Sequence, residues 1–172
     1  MTDFFADAAG AKALRLVFSD QLDAGLARLD AAARSHAEAA GFRGEPGETL
    51  LLPGGAPAAL IGAGPQAGAE PFVVAGAAGT LPEGDWILDG APDDWDPTQT
   101  GIALALGGYQ FTHYRAPSRA PARFVLPAKA DAAEAERVVR GAFLTRDLVN
   151  TPAGDMLPSH LEAAAREVAE RC

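Results

Sequence analysis

Short apolar runs alternate along this chain with stretches whose apolar residues recur every three or four positions, and that alternation sets out the elements. KALRLVF at 12–18 is a compact apolar run between polar flanks, which predicts a strand covered on at least one face. Leu22, Leu26, Leu29, Ala33, Ala37 and Ala40 then make one stripe at helical spacing. Ser19 or Asp20 can cap its start and Gly41 its end, so a single helix is expected between them. TLLLP at 49–53 and AALIG at 58–62 flank a Pro/Gly turn and predict a hairpin.

The second half continues the alternation. EPFVVAGAAGTLP at 70–82 reads as a short helix ending at Gly79, with a strand as the alternative because Phe72, Val73 and Val74 favour β structure. GDWILDG at 84–90 is a strand between turns. A helix follows in which Asp96 caps, Pro97 takes the first position and Gln99 completes capping-box spacing. PARFVLPA at 121–128 is the last strand. Asp131 caps the next helix, with Glu134 in the same spacing and a stripe of Val138, Ala142, Phe143, Thr145 and Val149; Arg137, Arg140 and Arg146 point mostly elsewhere. Thr151 before Pro152 ends that helix, and Pro158 opens another whose Leu161, Ala165 and Val168 share a face.

Strands alternating with helices predict an α/β fold, a three-layer α/β/α sandwich, and the hairpin makes its sheet mixed. With 172 residues, 48% of them hydrophobic, the chain can bury one domain core plus an appended element. Its 14 Lys and Arg against 23 Asp and Glu give a net charge of −9 without a basic cluster, which disfavours nucleic acid as a partner. One cysteine, Cys172, permits no internal disulfide and fits a reducing compartment. Asp3 and Asp7 stand where a secretory signal carries positive charge, and no run approaches the roughly 18 apolar residues of a membrane span, so a cytoplasmic protein is expected.

Chemistry is sparse. His36, His113 and His160 stand apart, with neither HExxH nor CxxC present; His36 reads as a hydrogen-bonded structural residue beside the helical stripe, the others as solvated. Asp89, Asp93, Asp94 and Asp96 cluster, but Pro92 and Pro97 and the lack of an EF-hand pattern favour a turn and a cap over a cation site. Gly62, Gly64 and Gly68 miss the GxGxxG register and no Lys follows, so a turn wins over a phosphate loop. Ser118 and Ser159 lie in no GxSxG turn, and Cys172 has no partner. No catalytic, cofactor-binding or metal residue is expected in this chain.

RDLVNTPAGDMLPSHL, through Arg146, Asp147, Leu148, Asn150, Thr151, Pro152, Ala153, Asp155, Met156, Pro158 and Leu161, resembles the junction of the leucyl (cytosol) aminopeptidase family, where a helix leads into the catalytic domain. Gly154 departs from it, since the family commonly has Asn there. ALGGYQFTHYR adds a weaker match at Leu106, Gly108, Tyr109, Phe111 and Tyr114, residues that read as helix-end packing rather than as catalysts, and GFRGEPGETLLLPG a loose one.

The resemblance implies a macro-domain-like N-terminal domain over 1–128, a connecting helix over 129–151, and the opening of a catalytic domain over 152–172 that stops at Cys172, the chain being the front of a larger enzyme. It further implies a parent metallo-exopeptidase, a homohexamer that releases N-terminal residues such as leucine using two zinc or manganese ions bound by its catalytic domain. The family's metal ligands are absent here, so this piece supports assembly and access and is expected to be inactive alone. Its last helix, deprived of a partner for its apolar face, should fray or reposition. The alternative is a stand-alone macro-like module binding ADP-ribose or a related nucleotide.

Overall fold

Six strands line up in the computed structural model, which describes residues 4–55 and 57–171; Asp3 and Cys172, weighed above, lie outside the described residues. They are β1 (Phe5–Ala6), β2 (Lys12–Val17), β3 (Thr49–Leu51), β4 (Ala59–Gly62), β5 (Gly84–Asp89) and β6 (Ala122–Val125), in the spatial order β1-β6-β5-β2-β4-β3. Every pairing is parallel except the β3–β4 hairpin, where Leu50 faces Leu60. The sheet is therefore mixed, with helices on both sides, as the alternating pattern predicts.

The single helix expected between Ser19 and Gly41 is instead two. A 3₁₀ turn over Ser19–Gln21 leads into α1 (Leu22–Leu26), and α2 (Ala31–Ala39) starts anew. Asp30 makes the break: its backbone is extended and its carboxylate accepts from the Ala33 N–H at 2.8 Å, a bond available only at a helix start. Neither Ser19 nor Asp20 caps; the Asp20 carboxylate accepts from the Gln66 N–H. The apolar stripe survives the break, with Leu26, Leu29, Ala33 and Ala37 buried against Val17, Phe42 and Leu60.

On the other face, a 3₁₀ turn at Pro71–Val74 and α3 (Ala77–Thr80) bear out the helical reading of 70–82. α4 (Pro97–Leu106) is capped by Asp96, whose carboxylate accepts from the Gln99 N–H at 2.8 Å. Asp96→Ala should cost about 1 kcal/mol and lower the melting temperature by about 2–4 °C; an unchanged melt would show that the cap contributes nothing. The main core lies here, where Leu14, Leu16, Trp86 and Phe124 of the sheet meet Val74, Leu81, Ala103 and Leu104.

α5 (Ala132–Asn150) is capped by Asp131 through the Glu134 N–H at 3.0 Å and packs beside α4. Its buried residues are Ala135 and Val139, with Phe143 packed against them, rather than the stripe through Val138, Thr145 and Val149; Val149 is 77% exposed. The third core, Phe5 and Ile102 with those residues, draws the helix towards β1 and rotates the expected face by one position. α6 (Pro158–Arg171) is a continuous helix, with Leu161 54% exposed on its apolar side. No helix among the described residues is long and apolar enough to cross a membrane.

The α1–α2 side covers only part of the sheet. Its core takes in β2, β4 and, from β3 and its end, Leu50 and Leu52, while on β5 the side chain of Ile87 is 39% exposed. Ion pairs flank it on the same face: Arg15 to Asp89 at 2.7 Å and Arg123 to Asp85 at 2.9 Å.

Candidate functional site

Each described residue weighed for chemistry has a structural task or lies at the surface. Asp89 pairs with Arg15, Asp96 caps α4, and Asp93 and Asp94 are exposed. His36 is exposed on α2 beside the stripe residues Ala33 and Ala37, and lines a hollow with Thr49, Leu50 and Thr80. His113 stacks on Phe111. The Nδ1 of His160 accepts from the Leu157 N–H at 3.1 Å, so this histidine caps the start of α6 rather than merely being solvated. At Gly62 a Cβ would sit 2.2 Å from the Glu45 carbonyl oxygen, so the glycine serves a close backbone crossing, not a phosphate. Ser118 and Ser159 are exposed.

What the fold does bring together is the pair of segments around Tyr109 and Asp147. After Gly107 ends α4, residues 107–121 form a loop without regular structure. Arg119 ties its far end to the Leu81 carbonyl at 2.6 Å and to that of Gly79, and Gln110 donates to the Arg119 carbonyl across it. Facing this loop, the last turns of α5 place Phe143, Arg146, Asp147 and Asn150 on one side, as three- and four-residue spacing requires.

Tyr109 is the centre of this contact. Its ring meets Phe143 edge-on at 5.1 Å, and Phe143 meets Phe4 in the same way at 5.3 Å. Its hydroxyl donates to Asp147 Oδ1 at 2.8 Å and accepts from Asn150 Nδ2 at 3.0 Å. Arg146, expected to point away, lies over the Tyr109 ring at 5.3 Å and donates to the Leu106 carbonyl at 2.8 Å, satisfying an acceptor at the α4 terminus. Further along, Thr151 closes α5 by donating to the Asp147 carbonyl at 2.7 Å, and the Tyr114 hydroxyl donates to Asp155. An open cavity of about 390 Å³ adjoins this junction between Phe4, Phe143, Gly108 and the starts of β5 and β6.

Sequence reasoning saw Tyr109 as an anchor by packing and missed its hydroxyl, because its partners lie 38 and 41 residues away. The phenol titrates above its ordinary value of 10.0, chiefly because the ring is desolvated; Asn150 lowers it, and the bond to Asp147 raises it. Folding thus favours the neutral phenol. Its contribution to stability is complete below the unfolded value and disappears as pH rises through the higher folded one. Unfolding titrations above pH 10 should show the parent chain losing stability more steeply than Tyr109→Phe; parallel curves would mean that the phenol is uncoupled from folding.

Chemically, this junction is a fastening. Among the described residues no three or more His, Cys, Asp or Glu side chains converge in a way that could hold a metal ion. Residues 13–127 match the family described as the M17 aminopeptidase N-terminal domain. No curated protein matches the chain. Among solved structures, it is similar to the cytosol aminopeptidase of Coxiella burnetii, with 29% identity and a TM-score of 0.77 over 97% of this chain and 37% of that one. It shares the fold of the bottromycin maturation enzyme BotP, determined in complex with Mn, at 24% identity and a TM-score of 0.68, over 95% of this chain and 37% of that one. The chain thus spans little more than a third of the length of either. Matched over well more than half its length, it belongs to the M17 aminopeptidase family, and residues 13–127 correspond to the N-terminal domain.

Proposed function

We propose that this chain is the N-terminal, non-catalytic part of a leucyl-aminopeptidase-like metallo-exopeptidase that releases N-terminal amino acids from peptides. Residues 1–128 are the domain proper, 129–151 the connecting helix, and 152–172 the opening of the catalytic domain. One observation carries the reading: the two segments that resemble the family, around Tyr109 and around Asp147, are the two that bind each other and fix α5 on the domain.

The donor set of the described residues does not fit the pair of divalent ions, zinc or manganese, that such an enzyme uses, and no step of hydrolysis is placed on these side chains. The partners proposed are the chain's own catalytic domain and, through it, further copies in a cytoplasmic hexamer. BotP, determined with Mn, supports the choice of metal, and the C. burnetii relative, named a cytosol aminopeptidase, supports the compartment.

The 172-residue chain should show no hydrolysis of leucine p-nitroanilide with manganese or zinc added. Metal-dependent turnover that co-purifies with it would overturn the proposal. An antibody against the chain should detect, in the source cells, a polypeptide well above 17.7 kDa. A native band at that mass would instead favour the stand-alone module, to be tested by calorimetry with ADP-ribose.

A further inference from the structure

Among the described residues, none of α6 belongs to the three cores, and over 158–170 its side chains are exposed apart from a half-buried Ala164. The turn at 151–157 joins it to α5 and governs the direction in which it leaves the domain. That turn is held on itself by the Asp155 and Met156 N–H groups, both donating to the Pro152 carbonyl at 2.9 Å. It is held to the domain by the Tyr114 hydroxyl, which donates to Asp155 across 41 residues of sequence.

Tyr114 is well placed for this. Its ring is braced edge-on by His113 at 4.6 Å and by Phe111 at 5.8 Å, so the phenol is presented rather than left to rotate freely. The loop carrying it is fastened at both ends, by Tyr109 on α5 and by Arg119 on the end of α3. Tyr114 is nevertheless 53% exposed, and it belongs to none of the cores. A bond at such a site can open without disturbing the fold.

We infer that the Tyr114–Asp155 contact is a clasp that sets the direction of α6: closed, it points the helix one way from the domain; open, it leaves α6 to swing about the 151–157 turn. Tyr114 is a positioning residue here. The inference concerns this chain alone; only its meaning for an enzyme, the orientation of whatever follows α6, rests on the proposed function. Spin labels on cysteines replacing Ser35 and Ala165, with Cys172→Ser, report the distance between α2 and α6 by double electron–electron resonance. The parent should give one narrow distribution. Tyr114→Phe, which removes only the hydroxyl, and Asp155→Ala should both lose that peak while keeping the parent melting temperature. A distribution already broad in the parent, or one that stays narrow in Tyr114→Phe, overturns the clasp. An exchange rate of the 153–160 amides that is the same in all three proteins would overturn it too. Since none of these readouts involves peptide hydrolysis, failure of the clasp and failure of the aminopeptidase reading can be told apart.

Discussion

Gly107→Ala should destabilise the chain by about 3 kcal/mol or more, beyond the usual range for overpacking. A Cβ built at this position lies 1.6 Å from the Ala75 carbonyl oxygen and 2.7 Å from its carbon. Both obstructing atoms are backbone, so no rotamer change relieves the contact; the end of α4 and the turn after Pro71–Val74 must separate. Backbone conformation contributes nothing to the penalty, since Gly107 has φ −70° and ψ −18°, which alanine adopts freely. Gly141→Ala is the matched control: it is exposed within α5 with open space around a Cβ, and there the methyl should stabilise by about 0.5–1 kcal/mol. Urea unfolding of both variants checks the pair. If Gly107→Ala unfolds within experimental error of the parent, the close approach of α4 to that turn is not present in solution.

Trp86→Ala should cost about 3–5 kcal/mol, as large-to-small changes of a buried tryptophan do. Trp86 is 1% exposed on β5 and packs in the main core with Leu14, Leu81 and Phe124. Its indole N–H donates to the Pro82 carbonyl at 3.1 Å, and Lys12 Nζ lies 5.4 Å from the ring centroid. Truncation therefore empties a large volume between sheet and helices and leaves the Pro82 carbonyl without this donor. Thermal melts followed by circular dichroism would test it. A loss below about 1 kcal/mol would mean that the site collapses around the alanine and that the core is far more plastic than close packing allows.

The elements that could be read from sequence alone were those settled within one turn of chain. Asp96 and Asp131 each sit three residues before the N–H they accept, so type and spacing sufficed. Asp30 uses the same bond, but it lies inside an apolar stripe that continues on either side, and the stripe hid the break. The face of α5 was misplaced by one position because Val138 and Val139 offer equivalent stripes. Only the location of Phe5 and Ile102 decides between them. β1, two residues long, has no periodicity to detect. The junction was half legible: family resemblance marked Arg146, Asp147, Asn150 and Tyr109, while the bonds joining them depend on how α4 and α5 lie side by side.

The exposed part of the sheet around Ile87 bears on how these molecules treat one another in concentrated solution. Ile87 sits partly exposed on a central strand, on the kind of plane where a second sheet could stack. Arg15 with Asp89 and Arg123 with Asp85 hold hydrated charge on that plane. Pairs this exposed add only about 0–1 kcal/mol to folding. Their effect is colloidal: any surface approaching Ile87 must first strip water from four charged groups, which opposes stacking on this part of the sheet. Replacing the four with apolar residues would leave the fold intact and turn that bare plane adhesive.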